Sequence, residues 1–274
     1  MSRVLGFLLC LGLIASASLV HAADKTEVED EVGERSGEAG QKGWSVEAGA
    51  AAIATPSHPG PRWYRLSPVP LVEVSYGEVF EASTREGVSY AWLATDRLKA
   101  GALFDLDKRE RPGARPDNAL VSVLGTGGVG GFAEYALVGE TKTRLEVTEG
   151  VLARRGLKAE LSVFDTVALT PDLSLEYGAL ARAGDRLYVA TTYGAPVNRR
   201  RPSGARTPTS GGFTTIGPTA ELSYTATDRD TITGAAEVDR LVGAAARALS
   251  AHSPGARNAT YLELAWRRKL YEDK

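Results

Sequence analysis

The feature that most restricts the fold of this chain is a repeated alternation of apolar and polar residues from Lys42 onward. Residues 156–164 read GLKAELSVF and residues 171–181 read PDLSLEYGALA, with an apolar side chain at nearly every second position. Successive side chains of a β-strand point to opposite faces, so a period of two predicts strands. The pattern recurs in residues 44–51, 87–94, 97–107, 142–148, 185–193, 219–227, 230–239 and 261–270.

The connections between these segments indicate an antiparallel meander. Brief turns such as RAGD (residues 182–185) and TDRD (residues 227–230) separate the segments, and no helical pattern lies between them. The predicted strands have about ten residues, a length that crosses a bilayer at a tilt. The raw count is about twelve to fourteen strands, and because single-chain bacterial barrels have an even number, we predict 12.

The glycine-rich segment Val121–Gly139, VSVLGTGGVGGFAEYALVG, suggests a nucleotide-binding loop at first sight, with glycines at 125, 127 and 130. Such a loop needs a parallel sheet with helical crossovers and strands buried on both faces. The surrounding alternation argues against that context. We therefore interpret the glycines as a turn joining two antiparallel strands, and we expect no nucleotide partner and no cofactor.

The first residues have the pattern of an export signal. Arg3 precedes the apolar run VLGFLLCLGLIA, and small residues lead to a cleavage site after Ala22, so residues 1–22 are predicted to be a signal peptide. Residues 23–42 are acidic and are interpreted as a disordered periplasmic tail, with a short acidic helix as the alternative. The remaining residues, 43–274, form the predicted barrel. Cys10 is the one cysteine of the sequence, so the mature chain would carry no thiol.

A period of two is shared by membrane barrels and soluble β-sandwiches. Export, strand length and the aromatic residues near strand ends favour the membrane, because aromatic girdles mark the two interfaces of a barrel. Ordinary core packing is the alternative for each aromatic residue. The candidate girdle residues are Trp44, Tyr76, Tyr193, Tyr261 and Trp266. We predict an all-β fold, a closed antiparallel transmembrane β-barrel of about 12 strands in the outer membrane.

The polar face of the predicted strands carries charges of both signs. Hydrocarbon would penalise these charges, whereas a hydrated or ion-paired lumen would not, so we expect them to face inward and to pair. The charged residues are Lys142, Arg144, Glu146, Lys158, Glu160, Glu176, Glu221, Glu237 and Asp239.

Two long polar insertions interrupt the strands. Residues 194–212 carry Arg199, Arg200, Arg201 and Arg206, which are candidates for binding anionic lipid headgroups or the phosphates of lipopolysaccharide. A solvated basic loop without a ligand is the alternative. Residues 242–258 contain GAAARALSAH, which is compatible with a short helix.

The sequence offers little catalytic chemistry. The mature chain has two histidines, His58 and His252, each in a Pro/Gly-containing loop, and neither lies in a pattern typical of a metal site or a nucleophilic triad. We therefore expect no metal and no enzymatic activity. With 32 basic and 34 acidic residues, the overall charge gives no argument for a nucleic-acid partner.

Particular residues resemble the MipA/OmpV family of outer-membrane proteins. The resemblance covers the opening segment TPSHPGPRWYRLSPVPLVEVSYGEVFEAS (residues 55–83) with GVSYAW (residues 87–92), and the late segments at residues 188–196 and 224–254. It implies a closed barrel that acts as a scaffold between a murein-degrading lytic transglycosylase and a murein-synthesising penicillin-binding protein. Other members of the family are described as adhesin-like proteins or osmotically regulated porins, and both remain alternatives.

Overall fold

Twelve antiparallel strands close into a barrel in the computed structural model, which describes residues 43–56, 64–106, 127–150, 156–193, 210–250 and 257–273. Each strand pairs with its neighbours in sequence, and the last strand pairs with the first. The strands are β1 (Trp44–Pro56), β2 (Tyr64–Tyr76), β3 (Phe80–Ser83), β4 (Gly87–Ala94), β5 (Leu98–Leu106), β6 (Gly127–Ala136), β7 (Lys142–Gly150), β8 (Leu157–Thr170), β9 (Leu173–Gly184), β10 (Gly212–Thr225), β11 (Asp230–Leu241) and β12 (Asn258–Glu272). The predicted closed up-and-down barrel of 12 strands is confirmed.

The two faces of the barrel wall differ as the alternation requires. Large apolar side chains are exposed on the outside; Trp92, Val129 and Leu264, for example, are 65%, 51% and 62% exposed. Charged side chains of alternate positions line the interior cavity, among them Glu160 on β8 and Glu221 on β10. A slip of one residue in register would exchange the two faces, so the pattern fixes the register of each strand.

The two ends of the barrel have connections of different length. At the end where β1 begins and β12 finishes, the strands are joined by residues 77–79, 95–97, 137–141, 171–172 and 226–229. At the opposite end, the connection between β9 and β10 spans residues 185–211, and the connection between β11 and β12 spans residues 242–257. Bacterial barrels have short periplasmic turns and longer external loops, which assigns the first end to the periplasm.

Two short helices lie in the long connections at the external end. Helix α1 (Arg186–Thr192) begins at Asp185, whose carboxylate accepts a hydrogen bond of 2.7 Å from the Tyr188 backbone N–H. Helix α2 (Gly243–Ser250) lies in the connection between β11 and β12. The two helices pack with the end of β11 in a small apolar cluster that consists of Tyr188, Val189, Tyr193, Leu241, Ala244 and Ala245. Among the residues that the structure describes, no helix is long and apolar enough to span a membrane.

The structure corrects four sequence predictions. Residues 185–193 were predicted to be a strand, but Asp185 caps a helix there and the segment forms α1. Residues 182–184 were predicted to be part of a turn, but they belong to β9. Gly127 and Gly130 lie inside β6 rather than in a turn, whereas residues 121–126 are outside the described part. The helix predicted in the second insertion is confirmed at Gly243–Ser250.

The fourth correction concerns the aromatic girdle. Trp44, Tyr76 and Trp266 are 46%, 42% and 45% exposed, as girdle residues should be. Tyr193 is instead buried in the helical cluster, because it follows α1 and packs edge-on against Tyr188. Tyr261 lines the interior cavity, because it has the parity of the inward-facing residues of β12.

Close approach of neighbouring strands requires glycine at some inward positions. A Cβ placed on Gly217 of β10 would collide with the carbonyl oxygen of Val238 on β11, and one placed on Gly130 of β6 would collide with that of Val147 on β7. Glycine at such positions lets strands bend sharply, which is how a narrow barrel closes. Gly234 of β11 faces outward instead, opposite Leu222 and Leu264, and a Cβ added to it would have nothing within 4 Å.

We predict that Gly217→Val lowers the free energy of unfolding by about 1–3 kcal/mol, because the added side chain overpacks the strand contact. Gly234→Val is the matched control and should leave stability nearly unchanged, since nothing lies within 4 Å of its added Cβ. The stability of each variant is measured as the urea concentration at which half of the protein has lost the compact, heat-modifiable gel band. Equal midpoints for the two would contradict the close contact at Gly217.

Candidate functional site

The candidate functional site is the interior of the barrel, a cavity of about 460 Å³ lined by residues of all 12 strands. Every charge that the sequence placed inside the barrel points to this interior or pairs with a residue that does. Glu146, Lys158, Glu160, Glu176, Glu221 and Glu237 line the cavity together with Arg144. Lys142 lies 4.0 Å from Glu134, and Asp239 is paired with Arg182. The predicted charged lumen is confirmed for these residues, and ion pairing is confirmed for all of them except Glu176.

The most buried group of charges surrounds Arg182 on β9. Its guanidinium donates to Glu160 on β8 at 2.6 Å, and to Glu237 and Asp239 on β11 at 2.9 and 2.7 Å. Arg182, Glu237 and Asp239 are 8%, 5% and 3% exposed. One cation therefore compensates three carboxylates that would otherwise repel one another in a poorly hydrated place.

Several ion pairs join strands that are not neighbours and so cross the lumen. Lys158 on β8 contacts Asp105 on β5 with an Nζ–Oδ2 distance of 2.8 Å. Arg85, in the turn between β3 and β4, reaches Glu263 on β12 at 3.3 Å and Glu221 on β10 at 3.8 Å. These contacts place charged side chains across the lumen and narrow any path along the barrel axis.

A further cationic group lies on β7. Arg144 pairs with Glu146 at 2.6 Å and with Glu134 at 3.4 Å. Its guanidinium carbon also lies 4.6 Å from the centroid of the Phe132 ring, which is a cation–π geometry. Phe132 packs with Ala91 and Leu103, so this arginine is fixed by an apolar cluster on one side and carboxylates on the other.

The structure locates only part of the residues singled out in the sequence. Arg199, Arg200, Arg201 and Arg206 of the first insertion lie outside the described residues, as do His58 and His252. Within the described ranges, no group of three or more His, Cys, Asp or Glu residues is arranged to hold a metal ion. Sequence analysis did not single out Arg85 or Arg267. Arg85 lies in a turn and Arg267 is one of several arginines near the chain end, so neither belongs to a pattern that indicates an inward-facing charge.

The fold and the distribution of side chains define the class of protein. A closed barrel leaves no unpaired edge between its first and last strands, its exterior carries large apolar side chains, and its interior is lined with charges. Only helices and closed barrels satisfy every backbone polar group within hydrocarbon. This chain is an outer-membrane β-barrel protein.

The family to which this chain belongs is established by comparison of its sequence. The family description "MltA-interacting protein MipA" matches residues 48–271, and the chain belongs to this family. No curated protein matches the sequence of the chain.

The solved structures that are similar to this chain include outer-membrane barrels of low sequence identity. The NanC porin is 11% identical over 83% of this chain and 100% of that one, with a TM-score of 0.37. An outer membrane channel from Pseudomonas putida F1 is 12% identical over 88% of this chain and 100% of that one, with a TM-score of 0.42. OprB from Pseudomonas putida is 8% identical over 84% of this chain and 94% of that one, with a TM-score of 0.37.

We predict that Arg182→Leu destabilises the barrel by about 3 kcal/mol or more, because the buried Glu237 and Asp239 and the half-buried Glu160 lose their shared cation. The control is Arg268→Leu, whose exposed pair with Asp230 should contribute little to stability. Urea unfolding in lipid vesicles, followed by gel mobility, compares the two. A loss that is no larger for Arg182→Leu would show that the Arg182 group is hydrated rather than buried.

Proposed function

We propose that this protein is a non-enzymatic outer-membrane anchor that holds a murein lytic transglycosylase at the periplasmic face of the membrane. The observation that carries the proposal is the family match over residues 48–271, whose description names an MltA-interacting protein. Supporting it, ion pairs cross the lumen at Arg85 and Lys158, and a barrel whose lumen is crossed in this way is better suited to an anchor than to a wide channel.

The periplasmic rim offers a surface for such a partner. The short turns and the end of β12 expose more acidic than basic side chains, so their potential favours a basic partner surface. The exposed carboxylates are Glu78, Asp96, Glu140, Asp172, Asp228 and Asp273, against Arg97 and Arg229. The rigid barrel holds these turns at fixed positions around one ring.

We predict that Glu140→Lys/Asp172→Lys weakens binding of purified lytic transglycosylase about tenfold, which corresponds to about 1.4 kcal/mol, because two carboxylates facing a basic partner are reversed. The matched control is Glu149→Lys, an exposed glutamate near the opposite end of the barrel. Binding is measured by co-sedimentation with barrel-containing vesicles at low and high salt. Loss of affinity in the control alone, or no binding by the wild-type barrel, would contradict the proposal.

A bridging role adds a second partner, a penicillin-binding protein that synthesises murein. We expect vesicles carrying the barrel to sediment this synthase more strongly when the lytic transglycosylase is present. An increase that also occurs with empty vesicles would show that the two enzymes associate without the barrel.

A diffusion pore is the second candidate, favoured by the charge of the cavity. Its lining contains ten carboxylates against four basic side chains, so any current should be carried mainly by cations. In planar bilayers, we expect the wild-type barrel to give no regular unitary steps, because the crossing ion pairs obstruct the lumen. Regular cation-selective steps would support the pore instead.

A further inference from the structure

Strand β8 extends beyond its neighbour β7 at the periplasmic end of the barrel. The last register pair between the two strands joins Lys142 to Phe164, and residues 137–141 then connect β7 to β6. β8 continues from Asp165 to Thr170 and pairs along this part with β9 alone. The connection beside it is described at every residue, so the pairing ends there rather than passing into an undescribed segment. We call residues 165–170 the free margin of β8.

The backbone groups of even-numbered residues point to the uncovered side of this margin. In an antiparallel strand, successive residues direct their N–H and C=O groups to opposite neighbours. The Gly150 N–H donates to the Gly156 carbonyl at 3.2 Å, which continues the register of β7 and β8, so even-numbered residues of β8 face β7. Thr166 and Ala168 therefore present their backbone groups on the free margin.

The hydrogen-bonding capacity of the free margin is only partly used. The Thr166 N–H donates to Oδ1 of the preceding Asp165 at 2.9 Å, a local contact that an arriving strand can replace. The Thr166 carbonyl and both backbone groups of Ala168 have no hydrogen-bond partner among the described residues. Thr166 and Ala168 are exposed, and a row of such groups is a template for a further strand.

The free margin lacks the usual protection of an exposed strand. Proline and lysine are the residues that most often prevent unwanted pairing at such positions. Strand β2 carries Pro68 and Pro70, whereas residues 165–170 read DTVALT and contain neither proline nor lysine. Their valine and threonines instead favour an extended backbone.

Apolar side chains accompany the free backbone groups. Val167 and Leu169 stand at alternate positions of the margin and are 40% and 50% exposed. Val138, in the adjoining connection between β6 and β7, is 83% exposed, the highest value among the large apolar residues in the described part of the chain. A strand added here would thus find apolar neighbours for its own alternate side chains.

The charge around the free margin is negative. Asp165 belongs to the margin, Glu140 lies in the connection before β7, and Asp172 lies in the turn after β8. Lys142, at the start of β7, lies 4.0 Å from Glu134 and is compensated by it. A segment that carries lysine or arginine is therefore attracted to this place, and an acidic segment is repelled.

We propose that the free margin of β8 is a docking site for an extended basic segment of a periplasmic protein, which adds to the barrel as a short strand. Hydrogen bonds to the backbone of Thr166 and Ala168 supply the pairing, while alternate apolar side chains of the segment contact Val167 and Leu169. Its lysine or arginine side chains meet the surrounding carboxylates. This interaction surface goes beyond anchoring a murein enzyme and does not depend on it.

Strand addition is tested by hydrogen exchange of the Ala168 amide, followed by NMR on the mature barrel in zwitterionic micelles. The probe is a peptide as long as the margin, in which valine alternates with lysine and threonine. The control peptide has glutamate in place of lysine. We expect the lysine peptide to slow exchange at Ala168 about tenfold or more, because the amide becomes hydrogen-bonded, and to leave the exposed Gly139 amide unchanged.

Two results of this measurement would contradict the proposal. An Ala168 amide that is unaffected by the lysine peptide at its highest soluble concentration would overturn the docking site. Equal slowing by the lysine and glutamate peptides would overturn the preference for a basic segment.

The same measurement identifies other occupants of the margin. Slow exchange at Ala168 before any peptide is added would overturn a periplasmic partner. If deletion of residues 23–42 then restores fast exchange, the chain's own acidic tail is the occupant. If dilution restores it, the occupant is a second copy of the barrel.

Backbone pairing is separated from attraction by charge in a variant. Ala168→Pro removes the N–H on the free margin and keeps the pairing with β9, since that N–H faces away from β9. We expect this variant to bind the fluorescent lysine peptide about tenfold more weakly, which fluorescence anisotropy measures. Ala168→Ser retains the N–H and should bind like the wild type. Equal binding by the two variants would overturn backbone pairing.

Folding of both variants is verified by the heat-modifiable band. If Ala168→Pro does not fold, exchange in the wild-type barrel decides the proposal alone. Neither peptide experiment involves the transglycosylase, so the anchor is judged separately.

Discussion

Hydrogen bonding of the backbone within hydrocarbon is the constraint on which this structure depends. A lipid-exposed N–H or carbonyl has no water to bind, so the sheet must close on itself, and here β12 closes it by pairing with β1 from Ser45–Glu272 to Ala54–Leu262. Closure makes one face of every strand lipid-facing and encloses the other. The ion pairs of the interior follow from this, since charges such as Arg182 can be placed only on the enclosed face and are there desolvated enough to require partners.

Much of the fold could be predicted from the sequence, because a period of two reports directly on strands and on their two faces. The exceptions have physical causes. Residues 185–193 alternate imperfectly over a short apolar run, and such runs do not distinguish a strand from a helix. The decisive interaction, the cap from Asp185 to the Tyr188 N–H, is local and could be recognised only as a weak Asp signal after Gly184. The glycines of β6 were misjudged because close strand contact and turn formation both select glycine.

The interior could be predicted only in part. The alternation predicted that Glu160 and Lys158 point inward, because the face on which a side chain lies depends only on its position in the alternating pattern of its own strand. It could not give the partners, because Lys158 meets Asp105 and Arg85 meets Glu263 only when the barrel closes and brings distant strands opposite each other. Tyr261 shows the same limit, since its position near a strand end resembles a girdle residue, whereas its parity points it inward.

The two prolines of β2 have a consequence for how copies of this barrel coexist in a crowded membrane. An open strand margin invites a strand from another molecule to continue the sheet, and continued sheets grow into aggregates. Pro68 and Pro70 remove two of the donors that such a strand would need, while the apolar side chains beside them remain able to contact acyl chains. Among the described residues, the outer half of β2 pairs with β1 alone, and the two prolines make its other side a poor template for a further strand.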